Sequence, residues 1–235
     1  MIYKGSTKLG NLYIGSIKIG RIYKGSTLVY EPIKPINFET DTPGTYTIEI
    51  PRKMKVYIKM FAGGGGCGHH PSTTNSHSGV GMGGAGGGFL AGVTLEKQTL
   101  TVTVGARGTH LFGGYPTGTA GGDSKIIFGD GTYILCTGGK GGSGWKSGGA
   151  GGAGGAVENT SSYSLGNIWN GRAGTAQSYC AGVTLGGGTS SYWGADQTDD
   201  WCYSMYGGGG KVSLDYRGGT SLFDPATGYF LIEEG

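Results

Sequence analysis

Long amphipathic stripes are missing from this sequence: nowhere in its 235 residues do apolar side chains recur at a 3.6-residue period over the length a helix needs, so helices are expected to be nearly absent. An uninterrupted apolar span long enough to cross a bilayer is also lacking, and the opening MIYKGSTKLGNLYIGS has no apolar core of the secretory kind. Membrane insertion is therefore not expected, and the chain is expected to be made and held in a cytoplasm until something releases it. Cysteine is scarce: Cys67, Cys136, Cys180 and Cys202 include no CxxC pair, which argues against a zinc knuckle or a dense disulfide framework. Free, buried thiols are expected, with a Cys180–Cys202 bridge as the alternative. Charge is sparse as well, 14% of residues with a net +3, too little to argue for nucleic acid.

Enzyme motifs are equally thin. GVGMGG from Gly79 satisfies GxGxxG but lacks the strand before it and the helix after it, and GGKGGS from Gly138 lacks the Ser or Thr that a phosphate-binding loop needs directly after Lys140. No GxSxG elbow occurs. Asp196, Asp199 and Asp200 qualify as glycosidase carboxylates only if separate elements set them at the required distance. The chain is read as non-enzymatic, with no cofactor and no catalytic residue.

What is present in quantity is glycine. Its 55 residues, with 7 prolines, reach the share usual for low-complexity chains. Yet 36% of residues are hydrophobic and 15 are tyrosine, so this chain has something to bury. The first thirty residues repeat in tens, IYKGSTKLGN, LYIGSIKIGR and IYKGSTLVYE, each with a Gly-Ser pair at Gly5, Gly15 or Gly25 that suits a two-residue turn. A meander of small hairpins is predicted for residues 1–31. Such a repeat cannot bury a core alone and is read as an assembly or attachment module. Ten of the 18 basic residues lie in the first sixty positions, as a solvated strand face or a basic docking patch. The proline-marked stretch 32–36, inside EPIKPI, is predicted to be a stiff linker.

From Asn37 to the end the pattern is that of strands separated by glycine tracts. Tyr46, Ile48 and Ile50 alternate with polar residues, as do Leu100, Val102 and Val104, and GDGTY from Gly129 marks a hairpin turn. The tracts fall at Gly63–Gly66, Gly79–Gly88, Gly138–Gly155, Gly186–Gly188 and Gly207–Gly210. Glycine loses more conformational freedom on folding than any other residue, so the tracts must gain something by ordering. Extended helices of the polyproline type have three residues per turn and no internal hydrogen bonds, and side by side they could bond to one another if no side chain intervened. In KSGGAGGAGGAV this places Ala150, Ala153 and Ala156 on one edge. The predicted fold is all-β: a hairpin-repeat module, then a β-sandwich-like domain with packed polyglycine helices. Collagen is excluded because neither the long strict triplet nor abundant proline is present.

The runs FETDTPGTYTIEIPRKMKVYIKMFAGGGG, GGGFLAGVTLEKQTLTVTVGARG, GGDSKIIFGDGTYILCTGGKGG and GYFLIEE resemble the glycine-rich domain of phage and prophage tail proteins, and the YKGS decapeptides resemble repeats that precede such domains. A more distant likeness is to the distal adhesins of T-even tail fibres. The resemblance implies a structural virion component with a host-recognition tip, located in a tail or appendage. It also implies a homo-oligomer, a trimer favoured, joined through Ile2 to Tyr30, with other tail or fibre proteins as neighbours.

The segment 159–206 differs from its surroundings. Tyr163, Trp169, Tyr192, Trp193, Trp201, Tyr203 and Tyr206 stand there among Asp196, Asp199 and Asp200. Aromatic faces beside short polar side chains suit a surface that grips a polar partner at low entropy cost, here a bacterial surface glycan or protein. The competing reading is that these rings fill space that glycine cannot. Cys67, His69, His70 and His77 lie close together in GCGHHPSTTNSHSG, but their spacing fits no standard metal site and a solvent-exposed loop is expected.

Overall fold

The computed structural model describes residues 35–70, 79–81, 83–112, 117–144, 150–174, 176–177 and 225–235, together with strand segments within 1–30 and 211–223. It divides into two compact units, Met1–Ile36 and Asn37–Gly235. The first holds three hairpins: β1 (Tyr3–Lys4) with β2 (Thr7–Lys8), β3 (Tyr13–Ile14) with β4 (Ile17–Lys18), and β5 (Ile22–Lys24) with β6 (Thr27–Tyr30).

The second unit is built on two five-stranded antiparallel sheets, and among the described residues no helix occurs. One sheet runs β18 (Asn167–Trp169), β12 (Gly88–Leu95), β9 (Met54–Phe61), β22 (Tyr229–Glu234), β7 (Asn37–Thr40). The other runs β17 (Val157–Asn159), β16 (Tyr133–Cys136), β15 (Ser124–Ile127), β13 (Gln98–Val104), β8 (Gly44–Ile50). The fold is therefore all-β, as the sequence pattern predicts. Both sheets bury one face at a period of two: Met54, Val56, Ile58 and Met60 in β9, and Leu100, Val102 and Val104 in β13, are buried, with exposed or half-buried residues separating them. Ser124, fully buried in β15, joins the two sheets by donating to the Phe61 carbonyl at 2.8 Å while accepting from Gly105 N at 3.0 Å.

The predicted GDGTY turn closes β15 onto β16. Gly131 takes φ +83°, a left-handed conformation that favours glycine. Asp130 Oδ1 accepts from both the amide and the hydroxyl of Thr132, and these bonds hold its carboxyl below the usual range.

A third, smaller sheet orders β14 (Leu111–Phe112), β10 (Gly68–His70), β11 (Gly79–Gly81) and β19 (Ala176–Gln177), and β20 (Lys211–Leu214) pairs with β21 (Thr220–Phe223). β11 takes up the start of the expected Gly79–Gly88 tract and β12 its last residue, so that among the described residues only 83–87 is free of strand. The tracts Gly186–Gly188 and Gly207–Gly210 lie outside the described residues, as does most of the linker 32–36.

Candidate functional site

Between the sheets' strands run eight short segments that belong to no long strand: 62–67, 83–87, 105–110, 117–122, 137–143, 150–156, 171–174 and 225–228. They bond to one another backbone to backbone, and partners recur every third residue. Within 62–67, Ala62 and Gly65 donate to Gly87 and Gly84, Gly63 and Gly66 to Gly122 and Thr119, and Gly64 to Ala226, all at 2.9–3.0 Å. The same segment accepts from Gly139 and Gly142 on Gly63 and Gly66, and from Gly108 and Leu111 on Gly64 and Cys67. A strand alternates partners at a period of two; these runs do so at three.

Glycine is required by the close approach. A Cβ at Gly141 would stand 1.7 Å from the Gly118 carbonyl oxygen, and one at Gly83 would stand 1.8 Å from that of Gly65. Side chains are confined to the remaining positions: Ala150, Ala153 and Ala156 are exposed while Gly152 and Gly155 are buried. The long tract expected over Gly138–Gly155 is two runs folded together, Ser143 and Ala150 each donating to the other's carbonyl at 2.9 Å.

The aromatic segment is rooted on this body. After β17, Asn159 Oδ1 accepts from the amide and hydroxyl of Ser161 at 2.9 and 2.7 Å, and its Nδ2 donates to the Tyr163 carbonyl at 2.8 Å. That turn directs half-buried Tyr163 onto Phe128, ring centroids 4.7 Å apart, with Gln98 Nε2 donating to its hydroxyl at 3.5 Å. The chain then reaches β18 on the edge of the other sheet. There Trp169 stands opposite Gly88 and stacks on Phe61, centroids 5.7 Å apart and planes 24° from parallel. Gly88 leaves the room: a Cβ there would meet the Phe61 ring at 2.0 Å. Ile168 and the flanking Asn167 and Asn170 are exposed.

Of the predicted site residues, Tyr163 and Trp169 are thus anchors, one at each sheet. Tyr192, Trp193, Asp196, Asp199, Asp200, Trp201, Tyr203 and Tyr206 lie outside the described residues, as do His77, Cys180 and Cys202. On the outward side of β9 the lysines ride over rings: Lys59 Nζ lies 5.3 Å from the Tyr229 centroid and Lys55 Nζ 5.0 Å from that of Tyr57. Tyr229 donates to Glu39 at 2.6 Å.

Cys67 has a partner that sequence spacing does not suggest. Its sulfur lies 2.8 Å from Nδ1 of His110, which also accepts from the Cys67 amide at 3.0 Å. Burial pushes the thiol pKa up to about 12, and the thiolate needed of a nucleophile or metal ligand is suppressed. Cys136 is buried too, its pKa raised by burial and by the nearby Asp123 carboxylate. Both thiols are free, as expected. His69 and His70 fall on β10, and among the described residues no group of three or more His, Cys, Asp or Glu is placed to hold a metal ion.

Sheets that bury one face, glycine runs bonded at a period of three and an edge-rooted aromatic segment define an all-β glycine-rich domain. Residues 40–229 match the glycine-rich domain family, to which the chain belongs. No curated protein matches it.

Proposed function

We propose that this chain is a structural, non-enzymatic protein of a phage or prophage virion, in the tail or an appendage, whose glycine-rich body presents the segment 159–206 to a bacterial surface. The observation that carries the reading is the bonding of the glycine runs. Cohesion through main-chain hydrogen bonds leaves few side chains to spend, and suits a body that must persist outside a cell. In this reading the runs are polyglycine helices of three residues per turn, in keeping with partners that recur every third residue.

Tyr163 and Trp169 are then the roots of the recognition segment, and Trp193, Trp201 and the tyrosines beside them meet a surface glycan or protein by stacking and hydrogen bonding. Weak sites suffice where many copies act together. A purely structural fibre, tail or decoration role is the second reading. It is favoured by the packing of both described aromatics, Tyr163 on Phe128 and Trp169 on Phe61.

The test is binding of fluorescently labelled protein to a panel of bacteria, with Trp193→Ala and Trp201→Ala alongside and folding checked by circular dichroism. Strain-selective labelling that both folded variants lose supports the adhesin. No labelling by the folded wild-type chain leaves the scaffold.

A further inference from the structure

We infer that the unit Met1–Ile36 is an assembly module completed by other copies of this chain, the free edges of its hairpins pairing between molecules. This inference is independent of what the aromatic segment binds. It starts from the register. Tyr3 stands opposite Lys8 and Lys4 opposite Thr7; Tyr13 opposite Lys18 and Ile14 opposite Ile17; Tyr23 opposite Leu28 and Lys24 opposite Thr27. The three hairpins are one design repeated every ten residues, with Gly-Ser between the innermost pair each time.

Each hairpin is also a sheet by itself, and no strand of one pairs with a strand of another among the described residues. A lone two-stranded hairpin is marginal in water, and here the strands are two to four residues long. Among the described residues each of these strands therefore keeps one edge of amide and carbonyl groups without a β partner, a template for another chain. The staples that rescue small units are absent within this one, which has no cysteine and no histidine. A second copy offers edges of the same sequence, length and ten-residue spacing, so a single pairing mode serves all three hairpins at once. Self-matching edges of this kind are what closed homo-oligomers use.

Charge gives the inference a sign. Lys4, Lys8, Lys18, Arg21, Lys24 and Lys34 face a single acidic residue, Glu31, in this unit. Contact between copies brings like charges together, so screening by salt strengthens the assembly. Docking on an acidic partner would weaken with salt instead.

The experiment is sedimentation or light-scattering mass measurement on the full chain, over a concentration series at low and high salt. A Tyr3→Pro, Tyr13→Pro, Tyr23→Pro variant removes one outward-facing donor from each hairpin, since the pair next to the turn-closing one turns its amides to the free edge, and is measured in parallel. The expected result is a wild-type mass that is a multiple of the single chain's and rises with salt, and a single-chain mass for the variant with the melting of the body unchanged. A wild type that stays a single chain at every concentration and salt, a variant that assembles as the wild type does, or an assembly that dissociates as salt rises would each overturn it.

Discussion

The two sheets and the glycine runs of the second unit solve one problem in opposite ways. In the sheets the backbone groups pair along ladders and the buried volume is side chain: Phe61, Phe89, Phe230 and the Ile and Leu residues between them. In the runs the buried volume is backbone, with Gly63–Gly66 and Gly83–Gly87 wholly buried and the amides of Gly63, Gly64 and Gly65 bonded to three different neighbours in turn. A sheet gains chiefly from apolar area, about 25 cal/mol per Å². A run of glycine has almost none to offer. Its gain comes from close packing and from leaving few buried polar groups unpaired, each of which would cost roughly 1–3 kcal/mol. The lesson is that tolerance to mutation inverts between the regions: the sheets resist losing atoms and the runs resist gaining them.

Truncation in the sheets should have the largest effect. Phe230→Ala, at a fully buried site in the central part of its sheet, is expected to lower stability by about 3–5 kcal/mol, read from the shift of a denaturant midpoint. Adding one methyl to a run comes next. Gly141→Ala places a Cβ against the Gly118 carbonyl, where no side chain can swing aside, and is expected to cost roughly 3 kcal/mol in the same assay. If Gly141→Ala left the midpoint unchanged, the runs would not be packed as described.

The outward positions of the runs should be nearly silent. Ala153→Ser, at an exposed third position, is expected to change stability by no more than about 0.5 kcal/mol. The last effect concerns pH. Because folding raises the Cys67 pKa from 9.0 to about 12, the unfolded chain loses its thiol proton first. Stability from this group is complete below pH 9 and falls as pH rises toward 12, a slope that Cys67→Ala should reduce. In the native chain at pH 8, mass mapping should find Cys67 and Cys136 unalkylated, and unfolding should expose both.

The strands were legible because their code is local. Alternation at Tyr46, Ile48 and Ile50, and the Asp-Gly turn at Gly131, announce themselves within a few residues. The runs were legible only where glycine is dense. Segments 105–110, 117–122 and 171–174 carry the same GxxG spacing, at Gly105 and Gly108, Gly118 and Gly121, and Gly171 and Gly174. That spacing, rather than glycine abundance, marks a run whose every third position must pass close to a neighbour. Cys67 and His110 were not legible as a pair, since 43 residues separate them and the bonding of 62–67 with 105–110, continued by β10 against β14, brings them together. Tyr163 and Trp169 were picked out for their rings. Composition says nothing of direction, and their packing on Phe128 and Phe61 follows from β17 and β18 being the edge strands of different sheets.

Amide hydrogen exchange on the folded chain tests the central claim most directly. If the runs are held by bonds to one another, the amides of Gly63 to Gly66, Gly139 and Gly142 should be protected to the same limit as those of β9, and open only with the whole unit. Exchange of these glycines at the rate of an unstructured chain, while β9 stays protected, would contradict it.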